Sequence, residues 1–166
     1  MKTFCLTIVI VVVLLSCSNG IQAQTTLTKL NQVELMKQFV GAWKSEMFQD
    51  TIWSGEIKSF GTGLEGYFKA ETKGKVVIEQ KQLMGYDKKT DKFIETDLYK
   101  GSGIIIYTIW FASKNKATEL PYEFITNPEK TPSKWDIDFK SADQFTETYT
   151  QNNKVIAVYT FNRDKK

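Results

Sequence analysis

The sequence predicts an all-β protein, an antiparallel up-and-down β-barrel of about ten strands preceded by one short N-terminal helix. Two observations carry this. From Ala42 onward the apolar period is two, and turn-forming residues interrupt it about every 8 to 12 positions, as in a sandwich or barrel. The interruptions are short enough to be hairpins in unbroken succession, which makes the order a meander. About ten strands in one open sheet would leave two long edges unpaired, and closure removes both.

Residues 1–23 stand apart from that fold. Met1, Lys2 and Thr3 form a cationic head, and Phe4 to Leu15 form an apolar run of signal-peptide length, short of the roughly 20 residues a spanning helix needs. Two cleavage readings are open. Leu14-Leu15-Ser16-Cys17 resembles a bacterial lipobox, with cleavage before an acylated Cys17; Ile21-Gln22-Ala23 before Gln24 resembles an ordinary small-residue site. Either way the expectation is export to the cell envelope: lipid-anchored on a membrane surface, or periplasmic and secreted. Ser18 after the cysteine, where no Asp stands, favours the outer membrane.

The expected domain is then 24–166, a single barrel. Its length and its 42% hydrophobic fraction suit one core. Leu30, Val33, Met36, Phe39 and Val40 recur at helical spacing, Asn31 and Glu34 have capping-box spacing, and Gly41 stands where a glycine would end the helix. Strands are expected at 42–48, 53–61, 64–72, 75–86, 92–99, 104–112, 117–125, 134–140, 144–151 and 154–162. Lys73-Gly74 and Asn152-Asn153 suit two-residue hairpins, and Asp87 to Asp91 a longer one. Asn127 to Ser133, with Pro128 and Pro132, is the one long irregular connection and a candidate lid over one end.

Alternation is clearest late in the chain. Trp135, Ile137 and Phe139 share a face opposite Asp136, Asp138 and Lys140; Phe145 and Tyr149 oppose Thr146, Thr148 and Thr150; Val155, Ala157, Tyr159 and Phe161 share another face. The aromatic faces should point inward. Ile104 to Phe111 is apolar on both faces, so an outer cover is expected there, from the N-terminal helix or a partner.

The stretch "FVGAWKSEM" (39–47) places Gly41-Ala42-Trp43 between helix and meander and resembles the Gly-x-Trp opening of lipocalins and the wider calycin group. Together with "LEGYF" (64–68) and "LMGYDKKTDKF" (83–93), it is most similar to a lipocalin-like bacterial envelope family of unknown function, over roughly residues 30 to 162. The resemblance implies a calycin-type barrel in which Gly41 and Trp43 form a plug across the closed end. The related nitrobindin branch holds haem through a histidine. This chain has none, so that activity does not carry over.

The missing residue types exclude much chemistry. Without His, and with Cys5 and Cys17 confined to the leader, the usual bases, thiol nucleophiles, disulfides and Cys/His metal sites are gone; no metal and no cofactor are expected. The charge of +3, less Lys2, leaves +2 on 24–166 with acids and bases interspersed, which argues against nucleic acid as a partner. Ser113-Lys114-Asn115-Lys116 has the Ser-x-x-Lys pattern of acyl-enzymes without the helix that motif requires. Asp136 and Asp138 read as a solvated outer face, and Asp87 and Asp91 as turn residues lacking the spacing of a calcium loop. Glu147, on the face of Phe145 and Tyr149, and Glu95 with Asp97, on the face of Phe93 and Tyr99, would aim carboxyls into the barrel, where burial is costly without a partner.

Three functions remain. The leading one is a non-catalytic envelope binding protein holding a small apolar or amphipathic molecule among Trp53, Phe68, Trp110, Trp135, Glu147, Tyr149 and Tyr159, since a ten-stranded barrel is wider than its side chains fill. The second is a structural or interaction lipoprotein with a filled barrel, with Ile104 to Phe111 as a partner or homodimer surface. The third is a hydrolase or isomerase using an inward carboxylate with a tyrosine.

Overall fold

A computed structural model describes residues 29–48 and 50–165; the leader, with Cys5, Cys17 and both cleavage positions, lies outside the described residues. Helix α1 (Gln32–Met36) continues as a 3-10 turn, Lys37–Phe39. Asn31 caps it, its side chain accepting from the Glu34 amide at 3.2 Å. Ten strands follow: β1 (Gly41–Glu46), β2 (Thr51–Phe60), β3 (Gly63–Thr72), β4 (Lys75–Asp87), β5 (Lys92–Tyr99), β6 (Gly103–Phe111), β7 (Lys116–Pro121), β8 (Ser133–Ser141), β9 (Gln144–Gln151) and β10 (Lys154–Arg163). Each pairs antiparallel with the next, and β1 pairs with β10, so the sheet is a closed barrel in meander order.

The hairpins have the chemistry their residues require. Lys73 and Gly74 both take positive φ (50° and 75°), as do Asn152 and Asn153 (48° and 61°), which matches the twist of the flanking strands. Asp87 accepts from the Lys89 amide at 3.0 Å and the Thr90 hydroxyl at 2.8 Å, and Asp91 from Tyr86; these acids organise their turn.

Strand bounds lie within two residues of expectation except at β7, which ends at Pro121 where residues to 125 are expected. Beyond it, Tyr122–Phe124 and Pro128–Lys130 are 3-10 turns. This connection runs down the outer wall rather than over the barrel mouth: Lys92 Nζ donates to the Ile125 carbonyl at 3.1 Å, and Leu120 and Thr108 are buried on the outer side. The segment 127–133 is therefore not a lid over the cavity; none of it lines the interior space. The outer cover expected on β6 is present only on its lower half. Above Tyr107, β6 has no ladder partner on the β7 side, and Ile104, Ile105 and Ile106 are exposed.

The end of the barrel bearing α1 is closed and dry. Phe39 meets Phe139, Phe145 and Phe111 edge-on at ring separations of 4.9, 5.7 and 6.1 Å, and Trp43 meets Phe145 edge-on at 4.7 Å. Trp43 is 1% exposed, and its indole Nε1 donates to the Phe39 carbonyl at 2.7 Å. Arg163 lies over the Trp43 ring at 4.2 Å and donates to the Val40 carbonyl at 2.8 Å. Gly41 leaves room for this: its φ is +137°, and a Cβ there would run into the Arg163 guanidinium. Gln32 ties the helix to the wall, donating to the Phe111 carbonyl at 3.0 Å and accepting from its amide at 2.7 Å.

Candidate functional site

Above this floor the same inward alternation changes character and encloses a cavity of about 170 Å³. Carboxyls converge on it. Glu95 and Asp97 point in from β5, Glu119 from β7 and Glu147 from β9, with Gln80 and Gln82 of β4 and the tyrosines Tyr99 and Tyr107 between them. The register explains the convergence: Asp97 stands opposite Gln82, Glu95 opposite Tyr107, Glu119 opposite both Ile109 and Trp135, and Glu147 opposite both Ile137 and Tyr159. Rings share this lining, Trp135 and Tyr159 beside Glu119 and Glu147, and Trp53 and Phe68 on β2 and β3. Trp53 stacks on Phe68 at 6.1 Å, and Trp135 lies against Tyr159 at the same separation.

Glycine shapes the first of these ring pairs. Gly55 is opposite Phe68 on the ladder, and a Cβ there would strike the Phe68 ring and the Tyr67 carbonyl, so the missing side chain is what lets the ring lie across β2.

Glu95 and Asp97 are nearly out of water, 2% and 4% exposed, while Glu119 and Glu147 are half-buried. Gln82 donates to Glu95 at 2.8 Å, and the Tyr99 hydroxyl approaches Asp97 Oδ2 at 3.4 Å, while Asp97 Oδ1 has no hydrogen-bond partner among the described residues. Of the chain's 22 Lys and Arg, none among the described residues lines the cavity. Burial, then the charges of Glu119 and Asp97, hold the Glu95 carboxyl well above the usual range. Burial and the Glu147 charge do the same to Glu119. Burial pushes Glu147 up to about 8, with help from Asp97, and raises Asp97 itself against the pull of nearby donors. Burial also raises the Tyr99 and Tyr107 hydroxyls. Burial thus shifts these carboxyls toward the neutral acid, and a positive charge arriving beside them would favour ionisation.

Of the residues expected at the site, Trp53, Phe68, Trp135, Glu147 and Tyr159 line this cavity. Tyr149 is one step removed, packed on Trp135 at 4.6 Å. Trp110 is elsewhere: its neighbours Ile109 and Phe111 point in, so its ring is on the outer wall beneath Lys92 Nζ at 4.0 Å. Gly41 and Trp43 belong to the floor. Asp136 and Asp138 lie outside, paired with Lys134 and Lys140. Ser113 sits in the β6–β7 turn, bonded to Asn115 at 3.1 Å, so the Ser-x-x-Lys pattern has no helix.

Glu119, Tyr107, Gln80 and Gln82 were not legible. Leu120 is the apolar residue of β7 that faces outward, buried under the following connection, which inverts the polarity pattern that would mark Glu119 as inward. Neither a scan against protein-family models nor a search of curated proteins returns a match for this chain.

Proposed function

We propose that this protein is a binding barrel that holds a small amphipathic molecule in the upper interior. The observation that carries the reading is the cavity itself, lined by aromatic rings and polar groups together, above a floor packed solid. The leader supports an exported, envelope-located form anchored through Cys17 or released after Ala23, and the Gly41-Ala42-Trp43 opening supports a lipocalin-like ancestry.

Native mass spectrometry of the protein purified gently from its own source tests this. A discrete extra mass that disappears on denaturation is expected; a bare mass under conditions that preserve the fold counts against it. Two other readings have one observation each. Convergent carboxyls and tyrosines without a basic partner favour a hydrolase or isomerase. Exposed Leu83, Leu98, Ile104 and Ile106 on the outer wall of β4 to β6 favour a partner or homodimer surface, for which a mass of two chains is the expected signature.

A further inference from the structure

The four inward acids are chemically out of place in a barrel for a purely apolar ligand. Outside, the chain pairs its acids with lysines: Glu71 with Lys69 at 3.1 Å, Glu79 with Lys100 at 2.9 Å, Asp136 with Lys134 at 2.7 Å. Inside, Glu95, Asp97, Glu119 and Glu147 share a cavity into which no described Lys or Arg reaches. Burying a charged carboxyl without a cation is unfavourable, so these four shift toward the neutral acid, and a cation entering the cavity would be favoured by letting them ionise beside it. Asp97 makes the demand specific. It is 4% exposed, it lines the cavity, and its Oδ1 has no partner. A hydrogen-bond donor from outside the chain would complete it.

The rings in the same lining suit the same ligand. Trp53, Trp135 and Tyr159 border the space, and aromatic rings attract a cation with an organic body. Size narrows the class: an apolar cavity of about 150 Å³ is enough for benzene, so this one, at about 170 Å³, suits a body of about benzene's size. A bare metal ion fits less well, since the described residues contain no group of three or more acidic side chains arranged to ligate one.

Building on the binding reading above, we infer that the ligand is a small organic cation, a protonated amine with an apolar body. Its ammonium is held among Glu95, Asp97, Glu119 and Glu147, and its body lies against Trp53, Trp135 and Tyr159.

Isothermal titration of the purified protein at pH 7.5 with three probes of nearly equal size tests the inference: phenethylamine (cation), 2-phenylethanol (neutral) and phenylacetate (anion). Phenethylamine should bind at least about tenfold more tightly than the alcohol, and phenylacetate not measurably. Amine binding should also release protons from the carboxyls, so its heat should change with the ionisation enthalpy of the buffer, while that of the alcohol should not. Glu147→Gln and, separately, Glu119→Gln should weaken the amine by about tenfold and the alcohol by less than about threefold. An alcohol that binds as tightly as the amine overturns the cation and leaves the binding barrel standing. Failure of all three probes, together with a bare native mass, overturns both. Tight competition by Ca²⁺ or Mg²⁺ alone reassigns the carboxyls to a metal and also overturns the inference. The wild-type comparison decides the matter even if a variant does not fold.

Discussion

At the closed end of the barrel, Phe39 meets Phe111, Phe139 and Phe145 edge to face, and Trp43 meets Phe145 the same way, beside one satisfied indole N–H. A few residues further along the same strands, the inward positions hold Glu95, Asp97, Glu119 and Glu147 around open space. The same strands run through both halves, although β6 loses its β7 partner above Tyr107, and what changes along them is the side-chain chemistry of the inward positions. The floor converts inward positions into dispersion and apolar burial, the main source of stability. The upper half forgoes that, leaves a cavity, and holds carboxyls in their unfavoured environment. One half keeps the barrel closed, and its surplus stability is what lets the other remain unfilled and chemically strained, a division of labour common where stability and function compete.

The sharpest way to break this contrast is at the floor. Trp43→Ala should cost about 3–5 kcal/mol, read as a lowered midpoint in urea unfolding, because it leaves a large void and frees the Phe39 carbonyl and Arg163. A loss below about 1 kcal/mol would show that the floor is not the stabilising half.

Next in size is pH. Glu147 rises from 4.5 to about 8 on folding, and Glu95 and Glu119 move the same way, so the folded state binds protons more tightly than the unfolded chain. The stability that these cavity acids contribute should be full below about pH 4.5 and be lost, by a few kcal/mol, as pH climbs through about 8. With no histidine in the chain, these carboxyls dominate that window. Urea midpoints at pH 5 and pH 9 check it, and a flat profile would mean that the cavity acids ionise freely in the folded state.

Smaller and opposite in sign, Glu147→Gln should stabilise the protein at pH 8 by about 1–3 kcal/mol and flatten that profile, since a neutral amide carries no charge to bury. Arg163→Ala should cost about 1–2 kcal/mol through its lost hydrogen bond to Val40 and its contact with the Trp43 ring, and Arg163→Lys should restore only part of it, lacking the planar guanidinium. Least of all, Asp136→Asn on the outer wall should change stability by less than about 0.5 kcal/mol, because its pair with Lys134 is solvated.

The readable residues share a property. Trp135, Phe145, Glu147 and Tyr159 lie on strands with one apolar and one polar face, so period-two counting assigns their direction, and Glu95 and Asp97 follow from Phe93 and Tyr99. Trp110 and Tyr107 lie on β6, which is apolar on both faces, and alternation there carries no information about which face is inside. Glu119 was hidden by Leu120, whose apolar side chain serves the outer cover rather than the core.

Local chemistry was thus enough for the all-β meander, its turns and the capped helix, because each depends on residues near in sequence: period two, positive φ at Gly74 or Asn153, a side-chain cap at Asn31. Closure of the barrel was needed for everything that depends on residues far apart. It brought acids from β5, β7 and β9 into one space without a counter-charge, and it sent the β7–β8 connection down the outer wall. Neither arrangement has a local signature, since an isolated Glu costs nothing on a strand until the other strands take the water away from it.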